Sequence, residues 1–252
     1  MLDRQSRFLA AKMAVLGYDG ERSGIGTLAE KALHAILKHY LDGDVSHHEQ
    51  KSGGFFADVR NEAGFFEIQT RSFEKLVRKL DVFLREAPTT VVYPIARYRR
   101  LTWIDPVSRE LSPKRRSPKV GRAADVAREL YRIRRYLKHP NFRLRIIMLD
   151  CDEYKKRTAG GHHAERCERI PYALADDLTF SSPADYAALL PDEIPEPFTS
   201  TDLARLLKVS KGTSGTLLLL LTDLGCVRRI GKSGHSYLYE KNDCSHSGDL
   251  ET

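Results

Sequence analysis

Phe55-Phe56-Ala57-Asp58-Val59-Arg60-Asn61-Glu62-Ala63-Gly64-Phe65-Phe66-Glu67-Ile68-Gln69 is the stretch from which the fold is read. Phe55 to Arg60 and Phe65 to Thr70 have the aromatic and β-branched content of two strands, and Asn-Glu-Ala-Gly between them is a hairpin connection. With Asn61 to Gly64 as the connection, Arg60 pairs with Phe65 and Asp58 with Glu67; a tighter loop at Glu62-Ala63 keeps the same register. Alternation places Phe65, Glu67 and Gln69 on one strand face, with Asp58 directly opposite Glu67. Two carboxylates opposed across strands repel, so stability alone does not account for them. A divalent cation reverses the sign of that interaction, and carboxylate oxygens suit Mg²⁺ or Mn²⁺.

Working outward, Thr27 to Leu41 has helical period, with Leu33, Ile36, Leu37, Tyr40 and Leu41 on one side. Glu30 stands at the edge of that apolar stripe, where a carboxylate needs a partner or a metal. Ser72 to Arg85 reads as a helix, Thr90 to Ala96 and Leu101 to Ile104 as strands, and Ala123 to Leu137 as a basic amphipathic helix. Leu144 to Leu149 is wholly apolar, as in the centre of a sheet. This order predicts an α/β domain over 1–170, with a central mixed sheet flanked by helices.

Three acids, from one helix and two adjacent strands, can therefore converge. The arrangement resembles the PD-(D/E)xK nuclease superfamily, in particular its Holliday-junction-resolvase-like members with a restriction-endonuclease-like fold. The residues that carry the resemblance are Glu30 in Gly-Ile-Gly-Thr-Leu-Ala-Glu, Asp58 in Phe-Phe-Ala-Asp-Val, and Glu67-Ile68-Gln69. The resemblance implies that Asp58 and Glu67 ligate Mg²⁺ or Mn²⁺, with Glu30 as a direct or water-mediated ligand. It further implies hydrolysis of DNA phosphodiester bonds, with Glu30, Asp58, Glu67 and Gln69 as the catalytic set. The family usually has Lys where this chain has Gln69. Gln orients water but brings no charge, so the cation that steadies developing negative charge must come from elsewhere, Arg71, Lys75 and Lys51 being the candidates. The alternative is a DNA-binding or regulatory protein on a catalytically silent nuclease fold.

Beyond about Phe198 the rhythm changes. Thr199 or Ser200 caps a short helix to Leu207, a turn follows at Lys208 to Ser210, and a second helix runs to Leu224. Cys226 to Ile230 and His235 to Tyr239 flank a Gly-Lys-Ser-Gly turn, which completes the pattern of a winged helix-turn-helix over 198–241. Lys208, Ser210, Lys211, Thr213 and Ser214 would meet DNA from the second helix, and Arg228, Arg229 and Lys232 from the wing. The leucines 217–221 exceed what one buried face needs, which points to a homodimer contact beside DNA binding. Pro171, Pro183, Pro191, Pro195 and Pro197 fall in an acidic stretch without Lys or Arg, read as a linker over 171–197. Residues 242–252 read as a disordered tail.

The chain of 252 residues carries a formal charge of +7, which favours a polyanionic partner; the alternative is a soluble basic protein with no such partner. The excess is local: from Arg97 to Arg145 sixteen Lys and Arg stand against four Asp and Glu. Lys114, Arg115, Arg116 and Lys119, with Arg132 and Arg135 on the following helix, lie among Tyr98, Trp103, Tyr131 and Tyr136, a mixture suited to nucleic acid. The alternative is a solvated helix face and an exposed loop, and the number of charges favours phosphate contact. Asp3, Arg4, Arg7 and Lys12 break any signal-peptide core, and Leu217 to Leu221 is too short to span a bilayer. The expectation is a cytoplasmic protein with reduced cysteines. Cys151, His162, His163 and Cys167 match no usual zinc spacing, and His47-His48-Glu49 reads as a polar loop.

Overall fold

The hairpin closes as its turn residues require. Asn61 Oδ1 accepts the Ala63 N–H at 2.9 Å, and Gly64 takes a φ of 112°, a left-handed value open to glycine. The two-residue loop Glu62-Ala63 fixes the expected register: Arg60 opposes Phe65, Val59 opposes Phe66 and Asn61 opposes Gly64.

The computed structural model describes residues 3–17, 32–105, 107–157 and 164–242. Their order is α1 (Arg4–Leu16), α2 (Ala32–Leu41), β1 (His48–Ser52), β2 (Phe55–Asn61), β3 (Gly64–Ile68), α3 (Val77–Glu86), β4 (Thr89–Ile104), β5 (Arg115–Arg116) and α4 (Ala127–Arg132). There follow β6 (Phe142–Arg157), β7 (Ala164–Phe180), α5 (Ser200–Leu207), α6 (Lys211–Asp223), β8 (Val227–Ser233) and β9 (Ser236–Lys241). One seven-stranded sheet runs β1-β2-β3-β4-β6-β7, with β5 paired to β4, while β8 and β9 form a separate hairpin. The protein is thus α/β, with a large mixed sheet flanked by helices.

The chain divides into two compact units that interleave in sequence. The first comprises Met1–Thr70, Val92–Gly121 and Ile146–Leu178. Its core joins Phe8, Ala11 and Leu16 of α1 to Leu33, Ile36, Leu37 and Tyr40 of α2, over Ile68, Val92, Ile147 and Leu149 of the sheet. Asp3 caps α1 by accepting the N–H groups of Gln5 and Ser6. Gly121 meets β4 so closely that a Cβ would fall 2.4 Å from the Ala96 carbonyl oxygen.

The second unit comprises Arg71–Val91, Arg122–Arg145 and Thr179–Thr252. Here α6 packs on α4, α5 and β8. Leu217, Leu218, Leu220 and Leu221 are buried in that packing, and Leu219 alone of the five is exposed. The leucine run is therefore a core element touching helices on two sides, and it leaves one leucine for the dimer contact read from its composition.

The division expected at 171–197 does not coincide with these units. The stretch read as a linker continues β7 to Phe180 and then forms a 3-10 turn, Pro183–Leu189. Pro171 is tolerated because β7 ends the sheet order, and an edge strand has an unpaired side. Pro183 opens the turn and Asp185 caps it by accepting the Ser181 and Ser182 N–H groups. Residues 243–252, most of the expected disordered tail, lie outside the described residues.

Candidate active site

Asp58 and Glu67 come from the paired strands β2 and β3. The paired register runs from Asn61–Gly64 to Val59–Phe66, and one further step of the same alternation would set them opposite each other on one face. Glu67 is 3% exposed, a burial that an ionised carboxylate does not tolerate without compensating groups. Asp58 is held at two points: its Oδ2 accepts the Ile68 main-chain N–H at 2.6 Å, and its Oδ1 lies 3.1 Å from Nε2 of His34 on α2. Gln69 continues the β3 face, and its main-chain N–H donates to the Val92 carbonyl of β4 at 2.9 Å. The side chain of Glu168, on β7, accepts the Ala32 N–H at 3.0 Å and so fixes α2 beside the pair.

Glu30, the third acid expected here, lies outside the described residues. Among the described residues no group of three or more His, Cys, Asp and Glu side chains has metal-ligating geometry. Lys51, Arg71 and Lys75, the cations expected to stand in for the Lys of the nuclease superfamily that the motif resembles, are exposed, and the last two belong to the second unit. His34 is a site residue that sequence reading missed. Its signal was its place in the stretch of helical period Thr27 to Leu41, beside the apolar stripe.

Elsewhere the expected polar loop 47–49 is partly strand, since β1 begins at His48. His47 Nδ1 meets Asp42 Oδ2 at 2.8 Å, and Glu49 meets the buried Lys38 at 2.9 Å. Cys151 is buried, and burial pushes its thiol up to about 12, away from the thiolate that zinc requires. His162 and His163 lie outside the described residues. Cys151, Cys167 and Cys226 are reduced cysteines.

The basic stretch separates into two kinds of cation. Arg97 grips Asp150 through two bonds of 2.9 and 2.6 Å, and Arg100 grips Asp152 through bonds of 2.6 and 2.9 Å. These hydrogen bonds, in each case the leading cause, raise both guanidinium pKa values further. Lys114 adds a 3.1 Å contact to Asp152. Arg169 and Lys155 converge on the buried Glu153; burial pushes that carboxyl up, but the two cations outweigh it and hold it below the ordinary value. Arg132 meets Glu74 at 3.3 Å, and Arg135 meets Asp81 at 3.3 Å. Of the residues expected to touch nucleic acid, Lys114, Arg132 and Arg135 thus have acidic partners within the fold. Arg115, Arg116 and Lys119 are exposed, Arg116 lying over the Tyr98 ring at 4.3 Å.

In the second unit Ser210 caps α6 by accepting the Thr213 N–H at 3.1 Å, and Ser214 is fully buried, donating to the Ser200 and Lys211 carbonyls. Ser214 therefore secures α6 to α5 and is closed to a ligand. Lys211 is exposed at the start of α6. Arg228 pairs with Glu240, while Arg229 and Lys232 stack on Tyr237.

Residues 31–181 match the model of a domain of unknown function, DUF8091, and the chain belongs to that family. It is also similar to an uncharacterized protein of Treponema pallidum (strain Nichols), 29% identical over 230 residues that cover 86% of this chain and 87% of the relative. No solved structure matches. No helix among the described residues is long and apolar enough to cross a membrane.

Proposed function

We propose that this protein is a metal-dependent endonuclease that hydrolyses DNA phosphodiester bonds, on a fold of the PD-(D/E)xK kind. The observation that carries the reading is that Asp58 and the buried Glu67 stand on the paired strands β2 and β3, with Asp58 Oδ2 bonded to the N–H of Ile68, the residue after Glu67. The donor set fits a hard divalent ion: two carboxylates, with the Gln69 side-chain oxygen on the same strand face. Asp58, Glu67 and Glu30 would hold Mg²⁺ or Mn²⁺. Such an ion supplies charge neutralisation at phosphorus and lowers the pKa of a nearby water.

The remaining steps fall to the chain's own residues. Ile68 and His34 orient the Asp58 carboxylate from two sides, as outer hydrogen bonds do around metal ligands. Gln69 positions the attacking water by accepting or donating a hydrogen bond. Arg115, Arg116 and Lys119, exposed on the arm that follows β4, supply phosphate contacts to DNA. We read α5, α6 and the β8–β9 hairpin as a winged helix-turn-helix that adds a second DNA contact.

A single observation favours the other reading, a DNA-binding protein with a silent site: Gln69 brings no positive charge to the strand where the family has Lys. The test is cleavage of DNA with Mg²⁺ or Mn²⁺, lost on chelation and in Asp58→Ala and Glu67→Ala. DNA binding without any cleavage supports the second reading.

A further inference from the structure

Helix α6 is poorly equipped to meet a polyanion. Its exposed positions include Lys211, Gly212, Leu219, Thr222 and Asp223, which is one cation and one acid. Asp223 lies 3.8 Å from Lys138, and the Ser210 and Thr213 hydroxyls bond to each other at 2.9 Å.

The β8–β9 hairpin differs. Residues three apart on a regular strand point to opposite faces. Arg229 pairs with Tyr239 and Lys232 with Tyr237, so three steps on β8 match two on β9. The extra residue is a β-bulge at Ile230, and it brings Arg229 and Lys232 onto one face with Tyr237. The Arg229 guanidinium lies 3.9 Å and the Lys232 ammonium 4.9 Å from the centre of the Tyr237 ring. Neither has a carboxylate partner among the described residues, and the ring is 39% exposed. Stacking holds both cations in place without cancelling their charge. On the opposite face Arg228 is neutralised by Glu240; Lys241, farther along β9 on the Tyr237 side, is turned to the Asp192 carbonyl at 3.3 Å.

We propose that the hairpin face formed by Arg229, Lys232 and Tyr237 is the duplex-DNA contact of this unit, taking phosphates through two pre-ordered cations, and that α6 does not lead the contact. Two free cations over an exposed ring complement a phosphodiester backbone, and the bulge gives the pair its common direction. The inference rests on nucleic acid being the protein's partner, as proposed above, but not on the Asp58–Glu67 site being active.

The test is fluorescence anisotropy of the full chain with a short labelled duplex, titrated over a range of salt without divalent ions. The double variant Arg229→Gln/Lys232→Gln should weaken binding by about tenfold or more and flatten the log K against log salt slope by about 2, one unit per lost phosphate contact. Tyr237→Leu should weaken binding, and Lys211→Gln should change it by less than about twofold. The exchange Arg229→Lys/Lys232→Arg keeps both charges and should keep the slope, which controls for misfolding. Wild-type binding with an unchanged slope in the double variant overturns the proposal and leaves the nucleic-acid reading intact. A loss confined to Lys211→Gln transfers the contact to α6 and also overturns it. Tighter binding of the same duplex made as RNA overturns the choice of DNA. Absence of wild-type binding to either duplex overturns both readings.

Discussion

Asp58 Oδ2 accepts the main-chain N–H of Ile68, the residue after Glu67 on the paired strand β3, at 2.6 Å. The same carboxylate thus ties the hairpin and faces the proposed metal position. Asp58→Asn keeps a hydrogen-bond acceptor and removes the charge. It should leave the melting temperature unchanged and abolish cleavage. Asp58→Ala also strands the Ile68 N–H, at a cost of about 1–3 kcal/mol. His34→Ala removes the second contact on Asp58 and should lower activity about 10–100-fold without changing DNA binding. Thermal unfolding beside a cleavage assay separates these effects.

Reversing charge within the basic stretch should have two outcomes. Arg115→Glu/Arg116→Glu should weaken DNA binding with stability unchanged, because both side chains are exposed. Arg100→Glu should instead cost about 1–3 kcal/mol, since it breaks a bidentate pair with Asp152, whose side chain is 13% exposed. Denaturant unfolding and binding titrations of both variants check the sorting.

The His47–Asp42 pair gives a pH dependence with a definite sign. Hydrogen bonding to Asp42 raises the His47 pKa above its ordinary 6.5. Burial pushes the Asp42 carboxyl up, but bonds from Asn61, Asp44 and His47 outweigh it and hold it below 3.8. The His47 contribution is therefore complete below 6.5 and lost as pH rises through the raised value. The Asp42 contribution is complete above 3.8 and lost as pH falls through the lowered value. His47→Gln should destabilise the protein most between these limits and least at alkaline pH. Denaturation midpoints of both proteins across pH read this directly.

The C-terminal helices complete the second unit, so removing them should expose its core. A chain ending at Ile170 lacks α5 and α6 and leaves the face of α4 uncovered. It should be insoluble or poorly folded by circular dichroism. Leu220→Ala should cost about 2–5 kcal/mol, and Leu219→Ala, at the exposed position, about 0.5 kcal/mol or less.

What was legible in the sequence were patterns with a local cause. The Asn61-to-Gly64 turn and strand alternation set the register of β2 and β3 from Asn61–Gly64 to Val59–Phe66. The helical spacing of Phe73, Leu76, Val77, Leu80 and Leu84 likewise marked α3, and the Gly-Lys-Ser-Gly turn marked the β8–β9 hairpin. What the sequence concealed depends on partners distant in the chain. The proline-rich acidic stretch reads as a linker because proline breaks interior strands, yet β7 lies at the sheet edge. The cations from Arg97 read as a solvent-facing patch because Asp150 and Asp152, which neutralise several of them, come some fifty residues later. Leu217 to Leu221 suggested a dimer because α4, which covers part of the run, lies far away in sequence.

The central claim is tested most directly by incubating the purified protein with linear, single-stranded, flapped and four-way-junction DNA, each with Mg²⁺, with Mn²⁺ and with chelator. The prediction is slow nicking or cleavage of at least one substrate, stronger with Mn²⁺, absent with chelator and absent in Asp58→Asn and Glu67→Ala. Gln69→Lys should retain or raise it. Intact DNA under every condition, with binding preserved, would contradict the catalytic account.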